Sequence, residues 1–203
     1  MGQLAHGGLT LEDFYDWVAD QDRKYELVDG QPVMMAGANR RHDRIAANGL
    51  RIVGNQLQGA KCQPFTSDTF VRIPAGNVRM ADFGVDCGPF DDESMAAAEP
   101  TLVVEILSPT TRAFDRNDKL EEYKTVPSLR YILLVDPEQP LVRLYRRETA
   151  ADWLSERIFG LDAAVEMPDL ALNLRLADLY DGLVFQPRPT PVETPGPVSG
   201  ENR

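Results

Sequence analysis

The sequence predicts an α/β (α+β) domain in which helices flank a central mixed sheet, and three observations lead there. The stretches 101–107 and 131–135 are short and almost wholly apolar, as expected of strands covered on both faces. Residues 42–57 carry apolar side chains at the 3.6-residue helical period. Strands mixed with helices on both sides of an apolar strand build an α/β or α+β sandwich.

The elements follow in order. Thr10 with Asp13 three residues later is a variant capping box, and Phe14, Trp17 and Val18 recur at helical spacing, so 10–21 is a short amphipathic helix. Residues 25–35 hold the pair Asp29 and Gly30 between β-prone runs, a hairpin signal because Gly accepts the positive φ of the turn. In the helix over 42–57, Ile45, Ile52, Val53 and Leu57 share a face, with Ala46 and Gly49 filling the turns between. That narrow, small-residue stripe suits close packing on a sheet. Residues 64–73 and 78–87 are expected as two strands around the turn from Pro74 to Asn77. The acidic, Ala-rich 91–99 is a loop or short exposed helix. Then come a strand at 101–107, a helix at 115–124 and a strand at 131–135. Strands at 141–145 and 153–159 close a meander, and 175–183 form a last short helix. From residue 187 the chain is Pro-rich with almost nothing apolar to bury, so the domain is expected to span 1–186 and the tail 187–203 to be disordered. There are no internal repeats.

Composition bounds the function. At 203 residues, with 43% hydrophobic and 26% charged, the chain has the make-up of one globular domain with a real core. No run approaches the ~20 apolar residues of a membrane span and no signal segment opens the chain, which points to the cytoplasm. Cys62 and Cys87 show neither zinc spacing nor a disulfide framework. With only His6 and His42, a metal would have to rest on carboxylate oxygens, which suits magnesium, manganese or calcium. The net charge of −11 weighs against tight non-specific binding to nucleic acid. Arg40, Arg41, Arg44, Arg51, Arg112 and Arg116 would have to gather on one face to offset it.

Glu105 is the most informative residue, because a lone carboxylate in an apolar strand needs a partner cation or a metal. Asp82 opens another strand, and Lys119 lies one helical segment after Glu105. An acid pair on adjacent strands with a nearby lysine is a workable phosphodiesterase site. The carboxylates would hold Mg²⁺, and the lysine would orient the nucleophile or meet developing charge.

These residues resemble the Uma-two family of restriction endonucleases, within the PD-(D/E)XK nuclease superfamily. The matching pieces are the run from Tyr25 to Gly30, His42 opening its helix, Asp82 at a strand start, and Val104 to Pro109. Asp115, Lys119 and Tyr123 follow, then Tyr131 to Pro137, so the likeness covers about residues 25–147. The resemblance implies a restriction-endonuclease-like core and an endonuclease that hydrolyses phosphodiester bonds of DNA with Mg²⁺ or Mn²⁺. It implies Asp82 and Glu105 as metal ligands, the Ile106 carbonyl as a third, and Lys119 assisting the nucleophile. Glu26 and His42 would complete the site. The pattern departs at two places: Ala81 stands where the motif has proline, and Leu107 where it has lysine, whose role passes to Lys119. A homodimer is expected by analogy with the superfamily.

Plainer alternatives stand beside each residue. Glu105 could form a structural ion pair with Lys119 or an arginine, and Asp82 could end its strand. Lys119 could be a solvated helix lysine, and Glu26 could pair with Lys24 or an arginine. His42 could be hydrogen-bonded locally, Tyr123 could be a packing residue with a bonded hydroxyl, and Asp86 and Asp91 to Glu93 could be solvated surface. The rival function is an inactive nuclease-fold module serving in binding or assembly. A third is a metal-dependent hydrolase of a small phosphoester.

Overall fold

The computed structural model describes residues 8–35, 37–107 and 118–185. Ser108, Pro109, Arg112, Asp115, Arg116 and the tail expected to be disordered lie outside them. The chain opens with α1 (Leu11–Ala19), capped as its sequence predicts: the Asp13 N–H donates to Thr10 Oγ1 and the Thr10 N–H to Asp13 Oδ2, each at 3.1 Å. A hairpin of β1 (Tyr25–Val28) and β2 (Gln31–Met34) follows. Asp29 and Gly30 both take positive φ, 49° and 74°, the twist a two-residue hairpin turn needs. Next come α2 (Arg40–Gln56), β3 (Gln63–Thr66), β4 (Val71–Arg72), β5 (Val78–Arg79), β6 (Phe83–Asp86) and β7 (Pro100–Ile106). The remainder is α3 (Leu120–Thr125), β8 (Tyr131–Asp136), β9 (Leu141–Arg147), β10 (Trp153–Phe159), β11 (Ala164–Met167), β12 (Leu172–Arg175) and α4 (Leu176–Leu179).

Six strands form the central sheet in the order β10-β9-β8-β7-β6-β3. It is mixed, since β7 and β8 run parallel and every other neighbouring pair antiparallel. The period of two along β7 divides its side chains between two cores. Leu102, Val104 and Ile106 pack with Ile45 and Val53 of α2 and Leu179 of α4. Val103 pairs off with Leu120 and Tyr123 of α3 on the other face. Glu105 therefore points to the α3 side. Helix α2 approaches closely because Gly49 lies on the Phe83 ring, where any Cβ would overlap it. Each fully buried aliphatic side chain in these cores contributes roughly 1.5–3 kcal/mol. Tyr180 ties the β8–β9 turn, its hydroxyl shared between the Asp136 and Leu141 carbonyls at 2.9 Å each.

Four corrections to the sequence expectations concern connections. The stretches 64–73 and 78–87 are not two long strands. Each is broken, with β3 and β6 in the central sheet and β4 and β5 in a second, four-stranded sheet of order β2-β1-β5-β4 that packs with α1. The final helix is only one turn, and a hairpin of β11 and β12 precedes it. Asp86 is no solvated surface acid: it accepts from the backbone N–H groups of Gly88, Ala98 and Glu99 at 2.8–2.9 Å and closes the loop between them. Finally, Cys62 and Cys87 form a disulfide. The register opposes Gln63 to Asp86, so the next pair outward brings the two sulfurs together. Among the described residues no helix is long and apolar enough to cross a membrane.

Candidate active site

Five elements meet at the end of β7. Asp82 lies in the last residues before β6, where its own N–H donates to the Val104 carbonyl at 3.1 Å and its Oδ2 accepts from the Ile106 N–H at 2.6 Å. These bonds hold Asp82 beside the strand that carries Glu105. Glu105 is 5% exposed. Helix α3 and the turn before it bring three side chains to one face at spacings i, i+3 and i+4: Lys119, Glu122 and Tyr123. The Tyr123 hydroxyl donates to Glu105 Oε1 at 2.7 Å, and Lys119 Nζ stands 3.4 Å from the same oxygen. Glu26 of β1 holds the lysine from the other side, Oε1 to Nζ at 3.0 Å. His42, in the first turn of α2, places Nε2 3.1 Å from Asp82 Oδ2 and also bonds the Ile106 backbone.

Asp82, Glu105, Ile106, Lys119, Glu26 and His42 thus stand together in one network. Sequence reasoning missed what lies behind them. Arg79 of β5, 1% exposed, donates to Glu26 Oε2 at 3.1 Å and pairs through Nε with Glu122 Oε2. Asn77 donates to Glu122 Oε1 at 2.7 Å and accepts the Asp29 N–H at 2.8 Å. An arginine in a two-residue strand and an acid on a helix carry no pattern that marks them. Only Asp82, three residues after Arg79, hinted that this stretch leads into a site. Arg40 and Arg44 lie exposed on α2 near His42, whereas Arg51 is two turns further along the helix.

The electrostatics follow from burial. Glu105 is pushed up to about 8, first by loss of water, against which Lys119 pulls it down; the charges of Asp82 and Glu26 add to the rise. Burial alone would lower the His42 imidazole, but its bond to Asp82 and the nearby carboxylate charges outweigh that and raise it. Burial raises the Tyr123 phenol well above its usual range, helped by Glu105 and Glu26, so it remains a donor.

A divalent cation fits this donor set. Among the described residues the hydrogen bonds of Glu105 fall on Oε1 and those of Asp82 on Oδ2. Glu105 Oε2 and Asp82 Oδ1 are left to bind. Four carboxylates (Glu26, Asp82, Glu105, Glu122) face two permanent cations (Arg79, Lys119), an excess of two negative charges when all are ionised. Among the described residues no group of three or more His, Cys, Asp or Glu is placed to hold a metal ion, so a cation here would rest on the Asp82–Glu105 pair. An open pair of carboxylates is how magnesium is commonly held, since it keeps several waters and takes substrate oxygens.

The chain is similar to known proteins over most of its length. A family model described as "Uma2: Putative restriction endonuclease" matches residues 11–178. The uncharacterized protein slr1290 of Synechocystis sp. is 32% identical over 179 residues, covering 87% of this chain and 94% of that protein. A second, sll1609 of the same organism, is 28% identical over 162 residues, covering 78% and 92%. A crystal structure described as "a putative nuclease belonging to DUF820" from Anabaena variabilis superposes with a TM-score of 0.68 at 20% identity. That match covers 85% of this chain and 97% of the other, so the two share a fold.

Proposed function

The chain belongs to the Uma2 family of "putative restriction endonucleases", and from that membership we propose that it is a metal-dependent endonuclease hydrolysing phosphodiester bonds of DNA. The observation that carries this reading is the pairing of Asp82 with Glu105, each with one oxygen held by the protein and one left to bind, beside a lysine fixed by a third carboxylate.

Asp82 and Glu105, with the Ile106 carbonyl, would hold Mg²⁺ or Mn²⁺. When bound, such an ion polarises a phosphate oxygen and lowers the pKa of water. Tyr123 and the Ile106 N–H orient the two carboxylates before substrate arrives. His42 braces Asp82 from α2. Lys119 holds its ammonium 3.4 Å from Glu105, where it could hold the attacking water or meet negative charge building on the phosphate. Glu26 keeps that ammonium in place. A homodimer in the cytoplasm, with paired sites cutting paired strands, belongs to the same proposal by analogy with restriction enzymes.

Purified protein is incubated with supercoiled, linear and single-stranded DNA and with RNA, in Mg²⁺, in Mn²⁺ and in chelator. Cleavage of DNA that needs the metal and disappears in Asp82→Asn supports the reading. Intact nucleic acid at high protein concentration with both metals overturns it. Leu107, in place of the in-line lysine, favours a second reading: an inactive nuclease-fold module that serves in binding or assembly.

A further inference from the structure

We infer that Arg79 is a positioning residue that aims Lys119 at the acid pair through Glu26. The inference rests on the reading of Lys119 as the residue that assists the nucleophile. A lysine ammonium on a four-carbon stem has no preferred direction, so its usefulness depends on a counter-charge that is itself fixed. Glu26 is that counter-charge, and its two oxygens have separate duties. Oε1 takes Lys119 Nζ and the Met80 N–H at 3.0 and 2.9 Å, while Oε2 takes Arg79 Nη1 at 3.1 Å. Arg79 therefore stops the carboxylate from turning to chelate the lysine with both oxygens. Lys119 Nζ, already nearer Glu26 than Glu105, would be drawn further from Glu105 if that restraint were lost.

Arg79 is in turn anchored from behind. Its Nε pairs with Glu122, and Glu122 is held by Asn77. Glu122 and Lys119 lie one helical turn apart, so the arginine and Glu26 meet the same face of α3 at successive rungs. A purely structural role is poorly served by this choice. Apolar side chains of similar volume often replace buried ion-pair clusters without loss of stability. Keeping an arginine here makes physical sense when the charge it controls is used.

The test compares Arg79→Met with Glu122→Gln, two members of one ion pair of which only Arg79 touches Glu26. Each variant is followed by thermal melting, Mn²⁺ calorimetry, single-turnover cleavage of DNA, and the side-chain ammonium signals of ¹⁵N-lysine-labelled protein. The chain has four lysines, Lys24, Lys61, Lys119 and Lys124, so the Lys119 signal is readily assigned. Arg79→Met is expected to cut the single-turnover rate at least about tenfold and to shift the Lys119 signal. Half-saturation by DNA and Mn²⁺ affinity should stay within about twofold of wild type. Glu122→Gln, which weakens the anchor but leaves Arg79 on Glu26, should lose less than Arg79→Met in both rate and signal, and Arg79→Lys, also the substitute if Arg79→Met does not fold, should fall between wild type and Arg79→Met. A folded Arg79→Met with the wild-type rate and an unmoved signal overturns the inference, as does an equal loss in Glu122→Gln. Should the wild type cut nothing, the nuclease reading falls. The Lys119 signal then decides alone, its displacement in Arg79→Met upholding the positioning role and its constancy ending it.

Discussion

Lys119 is closer to Glu26 than to Glu105: its ammonium lies 3.0 Å from the first carboxylate and 3.4 Å from the second. The lysine is thus held by a residue of the small sheet more closely than by Glu105 of the large one. Lys119→Met should lower single-turnover cleavage by about 10²–10³, the loss typical of one preorganised donor. Glu26→Gln, which keeps the shape and removes the charge, should cost less, roughly tenfold. Equal activity in all three proteins would remove Lys119 from the chemistry.

Tyr123 orients Glu105 without occupying the oxygen left for a cation. Partners of this kind typically set metal affinity by a factor of about 10–100. Calorimetry with Mn²⁺ should therefore show that loss for Tyr123→Phe while the melting temperature of the metal-free protein falls only slightly. Unchanged affinity would make the tyrosine a packing residue.

Glu105 gives the metal-free protein a definite pH dependence. Its carboxyl is raised from 4.5 to about 8 by folding, so between those values the folded state holds a proton that the unfolded state has released. Its contribution is fully present below 4.5 and is lost as pH rises through 8. In chelator, stability from denaturant titration should decline across that window for the wild type. Glu105→Gln should show a flatter profile and exceed the wild type at pH 9. A wild-type profile as flat as the variant's would contradict the burial argument.

The disulfide closes a segment of 25 residues in sequence. By chain entropy such a cross-link contributes roughly 3–4 kcal/mol, and reducing cytosol opens such bonds. Thermal melts with and without thiol reductant, beside Cys62→Ser/Cys87→Ser, should show the reduced wild type matching the double variant. Cleavage should survive, because the bridge joins the far ends of β3 and β6 from Asp82. Two free thiols under non-reducing conditions would refute the bond.

How much of this was legible in the sequence depended on which contacts were local. Glu105 stood out because an acid in an apolar run has no inexpensive structural explanation, and the α2 stripe was visible because Gly49 must make room for Phe83. The switches of sheet inside 64–73 and 78–87 were not visible, since β4 and β5 are two residues each and owe their pairing to tertiary contact rather than to pattern. The Cys62–Cys87 bond needed the β3–β6 register. No strand was expected at β11 and β12, four residues each, whose alternating Val165, Met167, Leu172 and Leu174 are split by Pro168. Arg79 resembled any surface arginine until Glu26 and Glu122 were seen on either side of it.

The two sheets divide the site between them. Glu26 and Arg79 belong to the small sheet, Asp82 and Glu105 to the edge of β6 and to β7 of the large one, and Lys119 bridges the seam. A chain whose large sheet has formed while the small one is still undocked holds both acids but lacks the Glu26 carboxylate that stands 3.0 Å from its lysine. If the chain cuts DNA as proposed, that division ties activity to the docked fold, because the lysine reaches its Glu26 partner only when both sheets are in place.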